Sequence, residues 1–364
     1  MYQYLLIFFL FTAFSCSSQV QYNYEHPIPF NPKNYVCYRT NSTMIIDGKG
    51  DEPAWLNDPW TDSFEDIEGE EKPAPEWDTK AKMLWDETYF YVYAKLEEPH
   101  IWATLKNRDD IIFHDDDFEV FIDPDGDAYN YYELEINALN TLWDLFMLWP
   151  YRQEKGPNYL FHWNIAGIQT ATYIEGTLND PSNEDQYWSV EMAIPWDALI
   201  EMAPDKKRPG DGDQWRINFS RVDWTMDIKN NQYEKQKGTN GKPLPENNWV
   251  WSPTGFINMH MPEQWGYVQF SENIAGSEKV TFQKRIDEEV KWALWQLYFQ
   301  QKEFFEKNKK YSSDISIFKI PEINACPFNA ELHTTPTLFE FTANSCEGNG
   351  TWHINQDGRI YFVK

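Results

Sequence analysis

Glu119, Glu135, Asn137 and Arg221 are the polar side chains of this 364-residue chain best spaced to hold a ligand, and Phe113, Trp143 and His260 are rings that could flank it. Glu135 and Asn137 lie two residues apart in Tyr132-Glu133-Leu134-Glu135-Ile136-Asn137, so a strand there turns both to one face. Trp143 follows at the loop end of that strand, and His260 sits in a Met- and Pro-rich loop. Aromatic faces beside fixed carboxylate, amide and guanidinium groups suit a polyhydroxylated ring, whose C–H face stacks while its hydroxyls are paired. Each residue also has a plainer use. Glu135 and Asn137 could form a solvated strand face, or Glu135 could pair with Arg221. Trp143, like Trp163 and Trp224, could be core, and His260 could be a loop histidine without a role.

Two further groupings bear on metals. Asp123-Pro124-Asp125-Gly126-Asp127 sets three carboxylates at alternate positions of a Gly-containing turn, like the start of a calcium loop, without the closing glutamate of an EF-hand. An acidic hairpin turn is the plainer reading. Met259, His260 and Met261 supply the side-chain types of an axial haem pair, which makes a haem-binding electron-transfer protein the second functional class. There is no G-x-S-x-G, H-E-x-x-H or P-loop motif, and carboxylates are too abundant for a pair of them to indicate catalysis. The expectation is a binding protein, with a polysaccharide-degrading enzyme as the remaining alternative.

These residues need rigid elements, and the sequence supplies strand signals. Runs rich in aromatic and β-branched residues recur at 80–85, 89–95, 117–122, 131–137, 188–194 and 215–222, each bounded by Gly, Pro, Asn or Asp. In Tyr89-Phe90-Tyr91-Val92-Tyr93-Ala94 the tyrosines fall on one face and Phe90, Val92 and Ala94 on the other, as in a half-buried antiparallel strand. The pattern predicts an antiparallel β-sandwich over residues 43–272. Beyond it the character changes. Ile286, Val290, Ala293, Leu294, Leu297, Phe304 and Phe305 recur at three- and four-residue intervals, which predicts an amphipathic helix within 280–310. The remainder of 273–364 reads as a small β appendage with a hairpin about Asp357-Gly358.

The 58 acidic against 31 basic residues give a net charge of −27, which disfavours nucleic acid as a partner. Residues 1–16 read as a signal peptide too short to span a bilayer, ending at Ala13-Phe14-Ser15-Cys16. That sequence resembles a lipoprotein box with Cys16 as the acylated residue, although the stretch before it carries no Lys or Arg. Residues 17–42 read as a tether. The expected location is a bacterial envelope, lipid-anchored on its periplasmic side or at the cell surface, where membrane contact is through the anchor alone. An oxidising compartment permits a disulfide, for which Cys326 and Cys346 are the natural pair; Cys37 is left as a buried free thiol.

The order of motifs is similar to one family. Ile46-Asp47-Gly48, Asp51-Glu52-Pro53-Ala54-Trp55, the run from Ala81 to Val92, the run from Asp116 to Asp123, and Val190-Glu191-Met192-Ala193-Ile194-Pro195-Trp196 together resemble family 9 carbohydrate-binding modules. The resemblance covers about residues 43–270. It implies a sandwich of the DOMON-related superfamily that binds sugars, often at chain ends, and holds calcium. In the family's prototype two tryptophans sandwich the sugar while a glutamate, an arginine and an asparagine bond its hydroxyls. The glutamate matches Glu119 and the first tryptophan falls on Phe113. The arginine falls near Glu135, reversing the charge, and the second tryptophan falls near Met259 or His260, so the resemblance implies a rebuilt pocket. It implies a glycan ligand, captured at the envelope.

Overall fold

The computed structural model describes residues 21–153, 156–324 and 326–364. The signal peptide and Cys16 lie outside the described residues. The long strands are β1 (Asn34–Arg39), β2 (Thr79–Trp85), β3 (Tyr89–Glu97), β4 (Asp117–Asp123), β5 (Tyr131–Asn137), β6 (Leu142–Met147), β7 (Gln169–Glu175), β8 (Tyr187–Pro195), β9 (Gln214–Asp223), β10 (Asn247–Val250) and β11 (Gly266–Ile274). They join in the order β6-β5-β4-β9-β11-β1-β2-β3-β8-β7, with β10 branching from β9. All six runs read as strands are strands, extended by up to two residues at an end.

The continuous sheet folds over so that β3 and β8 face β4, β5 and β9. Phe90, Val92, Ala94, Val190, Met192 and Ile194 meet Val120, Ile122, Leu134, Ile136, Ile217 and Phe219 in one core. Residues of period two therefore decide which face of each strand is inward. The sheet is mixed. β1 runs parallel to both its neighbours, β11 and β2, and every other pairing in this sheet is antiparallel.

β1 lies within the segment expected to be a tether, and the residues before it are fixed as well. Tyr24 stacks on Phe299 at 4.4 Å and Phe30 on Trp292 at 4.5 Å, while the Tyr22 amide donates to the Ile317 carbonyl at 2.8 Å. The polar, Pro-bearing composition hides aromatics spaced to pack. Cys37 faces the core from β1 as a free, fully buried thiol.

The outer face of β3 and β8 is not solvated. Tyr91, Tyr93 and Ala193 are covered by Trp55 and Ala54 of the short helix Pro53–Asn57. Glu191 organises the cover. It accepts from Trp55 Nε1 at 2.8 Å and from the Asp47 and Gly48 amides at 3.2 and 3.1 Å. Gly48 has φ +86°, and a Cβ there would lie 2.6 Å from the Thr172 carbonyl carbon. Three of the motifs quoted above thus converge on one buried carboxylate.

The C-terminal unit holds α1 (Asp287–Asn308) against a four-stranded sheet of β12 (Ala330–Thr334), β13 (Phe339–Asn344), β14 (Thr351–Asn355) and β15 (Ile360–Val363). Val290, Leu294, Leu297 and Tyr298 pack on Phe339, Phe341 and Ile354. The Cys326–Cys346 disulfide closes the unit. Its hairpin turns at Gly358, φ +72°, and reaches the sandwich, where Arg359 Nε donates to Asp127 at 2.7 Å.

Candidate functional site

The outer faces of β4, β5 and β6 carry the polar groups. Register sets Glu119 opposite Glu135 on one side and Ser220 on the other. Because Phe118 and Val120 turn into the core, Asp117, Glu119 and Phe121 turn out together. Glu133, Glu135 and Asn137 do the same on β5. Loops carrying Leu105, Ile112, Phe113, Met259 and Trp265 cover most of this face.

An open cleft of about 230 Å³ remains, lined by Phe113, Glu119, Glu246, Asn248, Asn258 and His260 among others. Phe113 sits in a turn of 3-10 helix, Ile112–His114, pinned by its amide donating to Glu135 at 3.0 Å and its carbonyl accepting from Trp224 Nε1 at 2.9 Å. Burial pushes the Glu119 carboxyl up to about 7. Glu135, deeper, is raised well above the ordinary carboxylate range, first by burial and then by Glu119 and Glu133. His260 makes a 2.9 Å hydrogen bond between Nδ1 and the Tyr131 hydroxyl, and its Nε2 lies 3.8 Å from Glu133. Burial lowers its pKa to about 3, so the ring is neutral.

Phe113, Glu119 and His260 therefore come together at the cleft, with Glu135 behind them. Asn137 is committed elsewhere. Its Nδ2 donates to Leu105 O and Asp115, and its Oδ1 accepts from the Leu139 and Thr141 amides, so it builds the β5–β6 turn. Trp143 is 6% exposed and packs on Phe161, with Nε1 donating to the Phe161 carbonyl at 3.3 Å. Arg221 is on the opposite face of β9 from Ser220. It pairs with Glu98 at 2.5 Å and Asp223 at 3.0 Å, not with Glu135. The chain places a cation at β9, but alternation turns it away from the cleft. Trp163 packs on Tyr132 and Phe146, and Trp224 lies under Lys235 at 3.2 Å.

Asp117 and Glu133 share the faces of Glu119 and Glu135 by the same period of two, so alternation alone would have found them. Glu246, Asn248 and Asn258 come from loops, where no periodicity marks them.

In the Asp123–Asp127 turn one oxygen of each aspartate falls within 4.8 Å of the others. Asp123 accepts from the Gly126 and Ala128 amides, each at 3.0 Å, and Asp127 receives Arg359. A guanidinium therefore already supplies positive charge there.

The outer sheet face of this β-sandwich thus brings a ring, a carboxylate and amides around an open cleft. The protein is family 9-like: residues 46–223 match the carbohydrate family 9 binding domain-like family. Among solved structures, a protein from Bacteroides uniformis described as carbohydrate-binding is similar at 17% identity, covering 66% of this chain and 100% of that one, with a TM-score of 0.47. A family 9 carbohydrate binding module from Caldicellulosiruptor kristjanssonii in complex with cellotriose is similar at 16% identity, covering 68% and 99%, with a TM-score of 0.41. The same comparison gives 16% identity, 68% and 100% coverage and a TM-score of 0.41 for that organism's module in complex with glucose. No curated protein matches the chain.

Proposed function

We propose that the protein binds carbohydrate in the cleft between Phe113, Glu119 and His260, as an exported lipoprotein that captures glycan at a bacterial envelope. The observation that carries the reading is the family match over residues 46–223, within which Phe113 and Glu119 meet at an open cleft. Phe113 offers an apolar ring to the C–H face of a sugar. Glu119 accepts from hydroxyls, and Asn248 and Asn258 offer both donors and acceptors. The cleft is smaller than the roughly 300–1,000 Å³ that encloses a drug-sized ligand, so it suits the end of a glycan with the remainder outside. Cys16 would carry the anchor, leaving the sandwich free to meet its ligand.

The test is calorimetric titration of the protein with a glycan panel. We expect saturable heat with at least one glycan. Phe113→Ala and Glu119→Ala should each weaken that binding by about 1–3 kcal/mol, the loss that follows a lost stacking face or an unpaired hydroxyl. Unchanged affinity in both variants would place the site elsewhere.

A further inference from the structure

A second hollow, larger than the cleft, lies where the C-terminal unit meets the sandwich. It encloses about 480 Å³, inside the range of roughly 300–1,000 Å³ in which small ligands are held, and a junction between two units is a common place for one. One wall is the sandwich beyond the far end of β4 from Glu119, with Asp125, Arg216 of β9 and Tyr267 of β11. The other wall comes from the start of α1, the loop after β13 and the strands β14 and β15, with Arg285, Asn349, Trp352 and Phe362. This second wall lies outside the residues that match the family.

The hollow is braced from within. Glu288 of α1 accepts from Arg216 at 3.0 Å and from the Tyr267 hydroxyl at 2.7 Å, and it pairs with Lys291 at 2.5 Å. Asp287 accepts from Ser345 Oγ and the Cys346 amide, each at 2.7 Å, and from Trp352 Nε1 at 2.8 Å. The Arg216 guanidinium lies over the Tyr267 ring at 3.7 Å, and Lys291 over Trp352 at 4.6 Å. These groups satisfy one another across the junction and hold its two walls in one geometry, so the hollow is formed before any ligand arrives. The Cys326–Cys346 disulfide anchors the loop that carries Asn349.

A ring and a few polar groups are left open. Phe362 is 36% exposed and packs on Trp352 with ring centroids 5.1 Å apart. The exposed Arg285 guanidinium makes, among the described residues, a single hydrogen bond, 3.4 Å long, to the Gly212 carbonyl. Asn349 is exposed, and among the described residues its side-chain amide has no partner. Four acidic and four basic side chains line the hollow, so it is balanced in charge although the protein carries −27. That balance disfavours an ion as the occupant. An apolar ring beside both donors and acceptors suits a neutral, polyhydroxylated one.

We propose that this hollow is a second carbohydrate site, in which Phe362 stacks on a neutral sugar unit while Arg285, Asn349 and Asp125 bond its hydroxyls. The C-terminal unit then has a binding role, since it supplies the stacking ring and one of the two walls. The class of ligand rests on the glycan reading above; the hollow and its open groups do not.

Calorimetric titration with neutral cello-, xylo-, manno- and laminari-oligosaccharides tests the site. With at least one series we expect a binding event that weakens about tenfold in Phe362→Ala and in Arg285→Ala, the loss of a stacking face or of a charge-assisted hydrogen bond. Phe113→Ala should leave that event unchanged. Binding that responds to Phe113→Ala and to neither junction variant supports the cleft and overturns the second site. Binding that responds to the junction variants and not to Phe113→Ala supports the second site, whether or not the cleft binds. No saturable heat with any series overturns both. Should Phe362→Ala lose its native circular dichroism, Arg285→Ala and Asn349→Ala, both at exposed positions, decide in its place, and unaltered binding in both overturns the proposal.

Discussion

Glu191 shows what a buried carboxylate does when its partners are only hydrogen-bond donors. Trp55 and two backbone amides favour its ionised form, yet burial outweighs them and raises its pKa from 4.5 to about 7. Folding therefore binds a proton to this group between those values. Its contribution to stability is full below pH 4.5 and is lost as pH rises through about 7. In Glu191→Gln an amide NH₂ must meet one of the donors, so the midpoint of thermal unfolding should fall at every pH. The decline of that midpoint between pH 4.5 and 7 should also become shallower. Thermal melts across pH check both, and an unchanged slope would show that Glu191 does not titrate in that window.

At this same scale the site was partly legible. Glu119 lies at the cleft because alternation along β4 keeps it on the open face. Arg221 was misplaced because a residue's type says nothing about which side of a strand it takes. Asn137 was misassigned for a different reason. An asparagine that ends a strand before a tight turn, here with Asn140 at φ +61°, has a local use for both ends of its amide, and that use took it.

Elements were read best where one face is apolar and the run is long. The helix within 280–310 is Asp287–Asn308, and the stripe Val290, Ala293, Leu294 and Leu297 is its buried side. β1, β6, β7, β10 and β11 lie outside the six runs. In β6 both faces are buried, so Leu-Trp-Asp-Leu-Phe-Met shows no alternation of polarity to read. The family motifs turn out to describe an element contact more than a ligand site. Gly48 allows the 46–48 turn to lie on the backbone of β7, and Gly48→Ala should cost more than about 1 kcal/mol through both its positive φ and the 2.6 Å approach. Chemical denaturation would measure it, and a loss within experimental error would contradict the close packing. In the C-terminal unit, reduction of Cys326–Cys346 opens a 20-residue separation and should remove about 3 kcal/mol. Hydrogen exchange should then rise in β12 and β13 while β4 and β5 keep their protection.

Taken whole, the molecule is a sandwich with its second unit held on from two directions. Arg359 of the C-terminal hairpin reaches Asp127 on the sandwich, and residues 22–30 run along α1 before entering β1. No local pattern marks this arrangement, since each contact joins residues far apart in the chain. Trp292→Ala removes the ring beneath Phe30 and should expose the 21–32 segment to proteolysis ahead of the rest, with the cleft's ligand affinity unchanged. Protection equal to that of the wild type would mean the stack does not hold the segment.

The parallel placement of β1 between β11 and β2 has a mechanical consequence. Tension entering through the N-terminal segment runs along a strand that is hydrogen-bonded on both edges, to the last strand of the sandwich on one side and to an early one on the other. Such a strand is loaded in shear, and several bonds must break together before it slides. A tug from that end therefore bears on the middle of the sheet, and it reaches the cleft on β4 and β5 only through β11 and β9, which stand between.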